Sequence, residues 1–354
     1  MEIAKISLKE FFLFNKSIYQ NDNNFKDNKS GLIEVVCHEK RPFYAHSKQV
    51  IIAVKDGAKT LCACVLIVHK NAPEMLSIAF FEALPDSADA VNLLMGYVEN
   101  YGKQMDCAKI VVSLDGHVNN SVAFSAGQGE PSFGESYCWG YYHDYFKNFN
   151  KIKFISLCDE ADLVKQRIAG DMPMLEKSAG KIEIEHADFG SGFRATMKRY
   201  TDLNNEIFTD HRYYFPREYE EDYDLFKSMR PLLKNKNLIF AKCEGKDIGF
   251  ILWYPDFNEL VPLGKGASAA TFIKYRLFRQ EPETTKVVEI GVSAKYRRYG
   301  TILMLFNAAL ESTAKNTEKI LSSWILDKNI KSKATASRYI TEKHKDYYAY
   351  EKEI

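Results

Sequence analysis

Residues 287–310 read VVEIGVSAKYRRYGTILMLFNAAL, and this stretch decides the fold. The β-branched apolar start predicts a strand, which breaks into a turn that carries Arg297, Arg298 and Gly300. The apolar spacing from Thr301 onward predicts a helix that follows the turn directly. Such a turn points several backbone N–H groups and the positive end of the helix dipole at one place. The stretch therefore predicts an anion-binding loop that would accept a pyrophosphate.

Length and composition predict a globular protein of two domains. The chain has 354 residues, of which 46% are hydrophobic and 27% charged, and single domains usually hold about 100 to 200 residues. Because 48 Lys and Arg nearly cancel 47 Asp and Glu, we expect no nucleic-acid partner. No apolar run approaches the roughly 18 residues of a membrane span, and the N-terminus lacks a signal-peptide pattern. We therefore expect a cytoplasmic protein with no membrane association.

The cysteines predict neither a disulfide framework nor a metal site. The chain has 7 cysteines, an odd number, and their spacing lacks the close pairs typical of zinc ligands. Free cysteines behave as small hydrophobic residues. We expect reduced, mostly buried thiols and no metal.

The order of predicted elements repeats once along the chain. Each half reads as strands, a hairpin, a strand that leads into a helix, and a closing strand, which predicts two copies of one α/β plan. A polar helix with Gly170 and Pro173 in residues 159–180 reads as the connector. We predict an N-terminal domain over residues 1–158 and a C-terminal domain over residues 181–354.

The loop resembles that of the GCN5-related N-acetyltransferases (GNAT). The acyl-CoA loop of that family reads Arg/Gln-x-x-Gly-x-Gly/Ala, and Arg297, Gly300 and Ile302 fall on those positions, the first two as matches. The whole chain is similar to bacterial tandem GNAT-like proteins of undefined substrate. The segments that carry this wider resemblance are RPFY (41–44), FFE (80–82), NEIF (205–208), SWILDKN (323–329) and YEK (350–352).

The resemblance implies a fold and an acyl donor. Each domain would have a mixed α+β architecture, with a mostly antiparallel central sheet flanked by helices. Acetyl-CoA or another acyl-CoA would bind the C-terminal domain, with strand groups of Ile290 and Val292 pairing with the pantetheine amides. Asn329 would contact the pantetheine arm. The pyrophosphate would lie on the loop formed by Arg297, Arg298, Tyr299, Gly300, Thr301 and Ile302.

The resemblance also implies direct acyl transfer to an amine. A base deprotonates the amine, which attacks the thioester carbonyl, and an acid protonates the departing thiolate. Glu289 is the base candidate because it is the carboxylate within the central strand. Tyr347 and Tyr348 are the acid candidates, and His211 falls where family members line the acceptor pocket. The acceptor would be a small-molecule or peptide amine.

The first half lacks the basic loop. Glu82-Ala-Leu-Pro-Asp86 stands in its place, and an acidic turn would repel a pyrophosphate. We therefore expect an N-terminal domain without CoA binding, which serves a structural or acceptor-binding role.

Two other functions stay open from the residues. Ile302 replaces a small residue of the loop, and Ala336 stands where a tyrosine acid is common; both favour a catalytically silent module that binds an acyl-CoA or another ligand. Tandem GNAT architectures also include aminoacyl and fatty-acyl transferases. The balanced charge speaks against an aminoacyl transferase that uses tRNA, because such a protein would need a basic face.

Overall fold

The computed structural model describes residues 1–126, 129–175 and 182–354. The chain forms two compact units. Unit 1 comprises Met1–Phe154, Val261–Gly266 and Asp346–Ile354, and unit 2 comprises Ile155–Leu260 and Ala267–Lys345.

Unit 1 is a mixed sheet with helices against it. Its helices are α1 (Leu8–Ile18), α2 (Ser30–Cys37), α3 (Pro42–Ala45), α4 (Ala88–Gln104) and α5 (Tyr142–Tyr145). Its strands are β1 (Glu2–Lys5), β2 (Ser47–Asp56), β3 (Lys59–His69), β4 (Met75–Ala83), β5 (Lys109–Val112) and β6 (Phe124–Ser125). Strand β7 (Asn150–Glu160) begins in unit 1 and ends in unit 2.

The sheet of unit 1 is mostly antiparallel. Its strand order is β1-β2-β3-β4-β5, and residues of the final strand β14 (Lys343–Glu353) pair with β5. Strands β4 and β5 are parallel over four residue pairs, from Met75 with Lys109 to Ile78 with Val112. The core lies between this sheet and α4, whose Val91, Leu94 and Val98 are buried.

Unit 2 repeats the arrangement. Its helices are α6 (Ala161–Leu175), α7 (Phe193–Ile207), α8 (Tyr219–Met229), α9 (Ala269–Phe272), α10 (Thr301–Glu311) and α11 (Ile330–Ser337). Its strands are β8 (Ile182–His186), β9 (Leu238–Cys243), β10 (Lys246–Pro255), β11 (Thr284–Val292), β12 (Lys319–Ser322) and β13 (Ile325–Leu326). Short 3₁₀ segments cover Asn235–Asn237, Phe257–Leu260 and Ala294–Tyr299, and a π-helical turn covers Ile273–Leu277.

The sheet of unit 2 has the order β12-β11-β10-β9-β8. Strands β11 and β12 are parallel over four residue pairs, from Thr284 with Lys319 to Val287 with Ser322. In both units a serine follows this short ladder and donates its N–H to the last paired residue of the neighbouring strand. The bonds are Ser113 N to Ile78 O at 3.0 Å and Ser323 N to Val287 O at 2.8 Å. The predicted fold class, a duplicated mostly antiparallel α/β plan, is confirmed.

The two units differ in detail from the division predicted along the sequence. Residues 346–354, predicted as part of the C-terminal domain, belong to unit 1, and so do residues 261–266. Tyr350, for example, pairs with Val112 in the antiparallel ladder of β14 and β5. The predicted connector forms α6 of unit 2, and its last residues, 176–180, lie outside the described residues.

The structure also bears on the cysteine thiols and on membrane-spanning helices. The seven cysteines are free, and five of them are buried. In the described ranges, every helix is too short or too polar to cross a lipid bilayer.

Candidate active site

Strands β11 and β12 part in the middle of the sheet of unit 2. Their ladder ends at Val287 and Ser322, while β11 continues to Val292 along β10. The pairing with β10 shifts by one residue between Leu252 and Trp253, which leaves Val288 as an extra residue on β11. Such β-bulges bend a strand and occur often beside active sites. The parted strands leave one edge of β11 without a neighbouring strand in the described part of the chain.

Backbone groups of Ile290 and Val292 point to this open edge. Ser293 donates its N–H to the carbonyl of Ile248 at 2.8 Å, and antiparallel pairing directs alternate residues to opposite sides. The groups of Gly291 therefore face β10, and those of its two neighbours face away. The carbonyl of Val292 accepts a bond from Nε of Arg297 at 3.0 Å. Both strand residues predicted to pair with a donor thus lie at the open edge.

The loop after β11 has the predicted form of strand, turn and helix. A 3₁₀ segment leads to Gly300, whose φ of +72° lies in the left-handed region that favours glycine, and α10 begins at Thr301. None of the described side chains caps this helix, and Thr301 donates its hydroxyl to the Tyr296 carbonyl at 3.1 Å. The N–H groups of the first turn of α10 are therefore free of a side-chain cap, as an anion site requires.

The side chains of the loop point in different directions. Ile302 packs against the apolar core of unit 2, so it does not fill the space above the loop. Arg297 is exposed and folds back onto the strand end. The side chains of Arg298 and Tyr299 lie outside the described residues.

Glu289 lies one residue beyond the bulge and is half-buried. Its Oε2 accepts a hydrogen bond from the Tyr200 hydroxyl at 2.6 Å, and the Asn204 side chain also hydrogen-bonds with this carboxylate. Burial raises the pKa of Glu289 above its ordinary value of 4.5, although the charge of Arg217 and these hydrogen bonds oppose the rise. A carboxylate with a raised pKa is a stronger base, which suits proton abstraction from an amine.

Helix α7 holds this carboxylate from directly above β11. Tyr200 and Asn204 stand one turn apart on its buried face. The close approach depends on Gly291, because a Cβ there would lie 2.9 Å from Cγ2 of Ile207 and 3.0 Å from Cζ of Phe208. The glycine therefore fixes how near α7 comes to the base candidate.

Arg217 is buried near the same carboxylate. Its Nη1 lies 2.7 Å from Oδ1 of Asp222, and its side chain is 3% exposed. The side-chain amide of Asn205 binds both the N–H and the carbonyl of Arg217. The guanidinium carbon lies 5.7 Å from the centroid of the Tyr200 ring. Sequence reasoning missed Arg217, Tyr200 and Asn204, because no local motif marks them.

His211 and Asn329 occupy defined places in unit 2. His211 is half-buried after α7, where its ring meets the edge of Phe208, and burial lowers its pKa. Phe208 is also the neighbour of Gly291, so His211 lies on the α7 side of β11. Asn329 caps α11, with its Oδ1 accepting the Ser332 N–H at 3.1 Å. Their predicted contacts with acceptor and donor stay predictions.

Tyr347 and Tyr348 belong to unit 1. Tyr347 is buried and donates its hydroxyl to Oε1 of Glu135 at 3.2 Å. The Nζ of Lys151 lies 3.6 Å from the centroid of the Tyr348 ring. The groups that contact Glu289 come from unit 2, so the structure gives these two phenols no contact with the base candidate among the described residues. Their acid role stays a prediction.

Unit 1 carries a glutamate on the equivalent strand, but in a different setting. Glu82 is fully buried within β4, and its Oε1 lies 2.6 Å from Nζ of Lys29. Its other partners are Asn15, Tyr19 and Tyr142. The expectation that Glu82 belongs to an acidic turn is wrong, because the hairpin pairing with β3 extends β4 to Ala83. Asp86 alone remains in that turn.

In unit 1 a side chain of the protein itself binds the edge of β4 next to the bulge. Oδ1 of the buried Asp115 accepts the N–H of Phe80 at 2.7 Å. Phe80, in the bulged part of β4, has a φ of +51°, which is uncommon for a bulky residue. The Asp115 carboxylate thus accepts the backbone N–H that the bulged part of β4 would otherwise offer to a ligand.

Comparisons with known proteins identify the fold. No protein-family model and no curated protein matches the chain. A tandem GNAT protein from the clavulanic acid biosynthesis pathway is similar over 99% of this chain and 98% of its own, with a TM-score of 0.55 and 10% identity. A GCN5-related glucosamine N-acetyltransferase region of a fungal multi-domain GH3 β-N-acetylglucosaminidase gives a TM-score of 0.59 at 11% identity, covering 99% of this chain and 38% of that protein. A probable N-acyltransferase from Enterococcus faecalis gives 0.52 at 9% identity, covering 100% of this chain and 72% of that protein. The chain has the tandem GNAT fold, as its sequence predicts.

Proposed function

We propose that this protein is an acyl-CoA-dependent N-acyltransferase with its active site in unit 2. One observation carries the proposal: β11 parts from β12 at a bulge, and the half-buried Glu289 stands next to that bulge. A donor could pair with the open edge while an amine reaches the carboxylate from the other face of the strand. The tandem GNAT fold supports this reading.

The donor site would be built from backbone. The outward groups of Ile290 and Val292 would pair with the pantetheine amides. The uncapped start of α10 and the exposed Arg297 would hold the pyrophosphate. The residues present fit this role, because Ile302 packs into the core and leaves the loop surface clear. In unit 1 the Asp115 carboxylate already holds the Phe80 N–H, which supports a single donor site in unit 2.

The reaction would be a direct transfer. Glu289 accepts a proton from the acceptor ammonium, and the amine lone pair attacks the thioester carbonyl carbon. The attacking nitrogen then loses its second proton to solvent, the carbon–sulfur bond breaks, and CoA leaves as a thiolate that takes a proton from solvent. The Tyr200 hydroxyl fixes the carboxylate for the first step. Acetyl and longer acyl groups both suit this chemistry.

The test is binding followed by turnover. Acetyl-CoA and a longer acyl-CoA should raise the melting temperature of the full chain, because they bind the native state alone. The protein should then release free CoA with a panel of primary amines faster than it hydrolyses the thioester. Binding without transfer would favour the silent ligand-binding module. No stabilisation by any acyl-CoA at millimolar concentration would contradict both.

A paired substitution locates the donor. Arg297→Ala should weaken acyl-CoA binding by about three- to tenfold, since a charge-assisted bond to a solvent-exposed anion contributes roughly 1 kcal/mol. Lys295→Ala, which removes an exposed cation from the same loop, is the matched control and should change the Kd less than about twofold. Equal increases in Kd for the two variants would mean that acyl-CoA responds to the net charge of the loop and not to a contact with Arg297.

A further inference from the structure

A half-open cavity of about 580 Å³ lies in unit 1, beside α1. Small-molecule sites usually have volumes of roughly 300–1,000 Å³, so the cavity has room for a ligand. One wall is α1, and the facing wall consists of residues from 25–30 and 264–266. All of these residues belong to unit 1, whereas the proposed acyl-transfer site lies in unit 2. The cavity is therefore no part of that site.

Two distant stretches of chain join to build the wall that faces α1. Gly264 donates its N–H to the Phe25 carbonyl at 2.7 Å, and Asp27 donates its N–H to the Lys265 carbonyl at 2.9 Å. Gly264 has a φ of +68°, and a Cβ on Gly266 would lie 2.7 Å from the Asp27 carbonyl oxygen. The junction thus depends on two glycines. The cavity has a defined wall and is not a chance gap between loops.

The inside of the cavity is mostly apolar. Leu8, Phe12 and Leu13 line it from α1, and Phe25 lines it from the other side. The Phe25 ring stacks on Tyr19 with its centroid 4.3 Å away, which fixes its position. Leu13 is 62% exposed. An apolar ligand between the two walls would remove this surface from water.

The lining also carries an excess of positive charge. Lys9, Lys16 and Lys265 line the cavity and are exposed, and their ammonium groups make no ion pair or hydrogen bond within the part of the chain that the structure describes. Asp27 is the one carboxylate among the lining residues. Its Oδ1 accepts two backbone N–H groups at the start of α2, at 3.1 and 2.8 Å. The three lysines are thus left without a counter-charge from the lining.

We propose that this cavity binds a fatty-acid carboxylate. Its chain lies between α1 and Phe25, and its head lies among the three lysines. An amine would be repelled by these cations, and an alcohol would leave them unpaired. A phosphate head fits less well than a carboxylate, because Asp27 already holds the N–H groups at the start of α2 that a phosphate would use.

Wild-type protein provides the first test, by calorimetry on the full chain with each ligand below its micelle concentration. Octanoate should bind at least about tenfold more tightly than octylamine and at least about threefold more tightly than 1-octanol. From butanoate to octanoate the affinity should rise about two- to fourfold for each methylene that enters the cavity. Equal binding of octanoate and octylamine, tighter binding of octyl phosphate, or no binding of octanoate at millimolar concentration would overturn the proposal.

A charge placed in the apolar wall provides the second test. Leu13→Asp changes an exposed side chain, so the protein should stay folded, and it should weaken octanoate binding at least about tenfold. Leu93→Asp is the matched control, because Leu93 is also an exposed leucine on a helix of unit 1, with 39% exposure. It should change the Kd less than about twofold. Equal losses in the two variants would mean that octanoate does not bind beside α1.

Single lysine substitutions provide the third test. Lys16→Gln and Lys265→Gln, on opposite walls, should each weaken octanoate binding about two- to fivefold at low salt, and less at high salt, as expected for exposed charges. Lys103→Gln, which removes an exposed cation from α4, is the control and should leave the Kd unchanged. An unchanged Kd in both Lys16→Gln and Lys265→Gln would contradict the placement of the carboxylate head.

These measurements are independent of the proposed function, because none of them needs acyl-CoA or an amine. Octanoate binding without acyl transfer would uphold the cavity and contradict the transferase. Acyl transfer without octanoate binding would uphold the transferase and contradict the cavity.

Discussion

The two units build the same parted strand pair and complete it in opposite ways. In unit 1 a buried ammonium and two phenols surround Glu82, and Asp115 occupies the Phe80 N–H. In unit 2 the half-buried Glu289 accepts a hydrogen bond from one phenol, and the strand edge beside it has no neighbouring strand in the described ranges. The comparison teaches that a shared backbone plan does not decide function. The side chains that fill the opening do.

The helix that covers each strand makes the likeness more specific. In unit 1 Asn15 from α1 and Tyr19 just beyond its end bind Glu82, and in unit 2 Tyr200 and Asn204 of α7 bind Glu289. Each pair is four residues apart, so one helix face presents a phenol and an amide to one carboxylate. The difference therefore comes from the cation: Lys29 contacts Glu82 directly, whereas Arg217 is paired with Asp222.

The largest expected effect is on the stability of unit 1. Glu82→Gln should lower the free energy of unfolding by about 3–5 kcal/mol, because it leaves the buried Lys29 ammonium without its counter-charge. Glu289→Gln should cost less than the Glu82 change, about 1 kcal/mol, since the amide oxygen of this half-buried side chain can still accept the Tyr200 bond. Urea titrations of both variants measure the difference. A loss below 1 kcal/mol for Glu82→Gln would mean that the ion pair does not hold unit 1 together.

The next effect reverses the roles of the two glutamates. Glu289→Gln should reduce kcat/KM for acyl transfer by about 100-fold or more, in the range of a lost general base. Glu283→Gln, an exposed carboxylate just before β11, is the matched control and should retain activity. Full activity of Glu289→Gln would show that Glu289 is not the base. The difference between Glu82 and Glu289 would then concern structure alone.

A smaller effect tests the close approach of α7. Gly291→Ala should cost roughly 1–3 kcal/mol of stability, as overpacking does, because its Cβ would meet Ile207 and Phe208. Gly96→Ala in α4 meets no atom within 4 Å and should instead stabilise by about 0.5–1 kcal/mol. Thermal unfolding of the two variants gives the sign. Equal changes in melting temperature for the two variants would mean that α7 does not pack closely against β11 at Gly291.

The smallest expected effect is a shift in the pH dependence of acyl transfer. Burial raises the pKa of Glu289, so its base form is lost at a higher pH than for an ordinary glutamate at 4.5. As pH falls, kcat/KM should therefore decline with an apparent pKa above 4.5, and this acid limb should be absent in Glu289→Gln. Circular dichroism over the same range confirms that the protein stays folded. An identical limb in both proteins would assign it to another group.

The sequence predicted the features that depend on neighbouring residues. The pattern in 287–310 located β11, the Gly300 turn and α10, because periodicity and the left-handed glycine are local signals. The sequence analysis assigns no type to β1, α1 and α2, although Ser7 and Glu10 form a capping box at the start of α1. The buried ion pair of Glu82 could not be predicted from local pattern, because its lysine partner lies 53 residues earlier in the chain. Arg217 and Tyr200 left no signal for the same reason: their roles exist only after folding.

The membership of residues 346–354 in unit 1 has a consequence for synthesis. Strand β5 receives its β14 partner only from this segment, through pairs such as Tyr350 with Val112. During translation, β5 therefore lacks its partner on that side until residues 346–354 leave the ribosome. Exposed strand edges recruit other strands, so we expect this interval to favour aggregation.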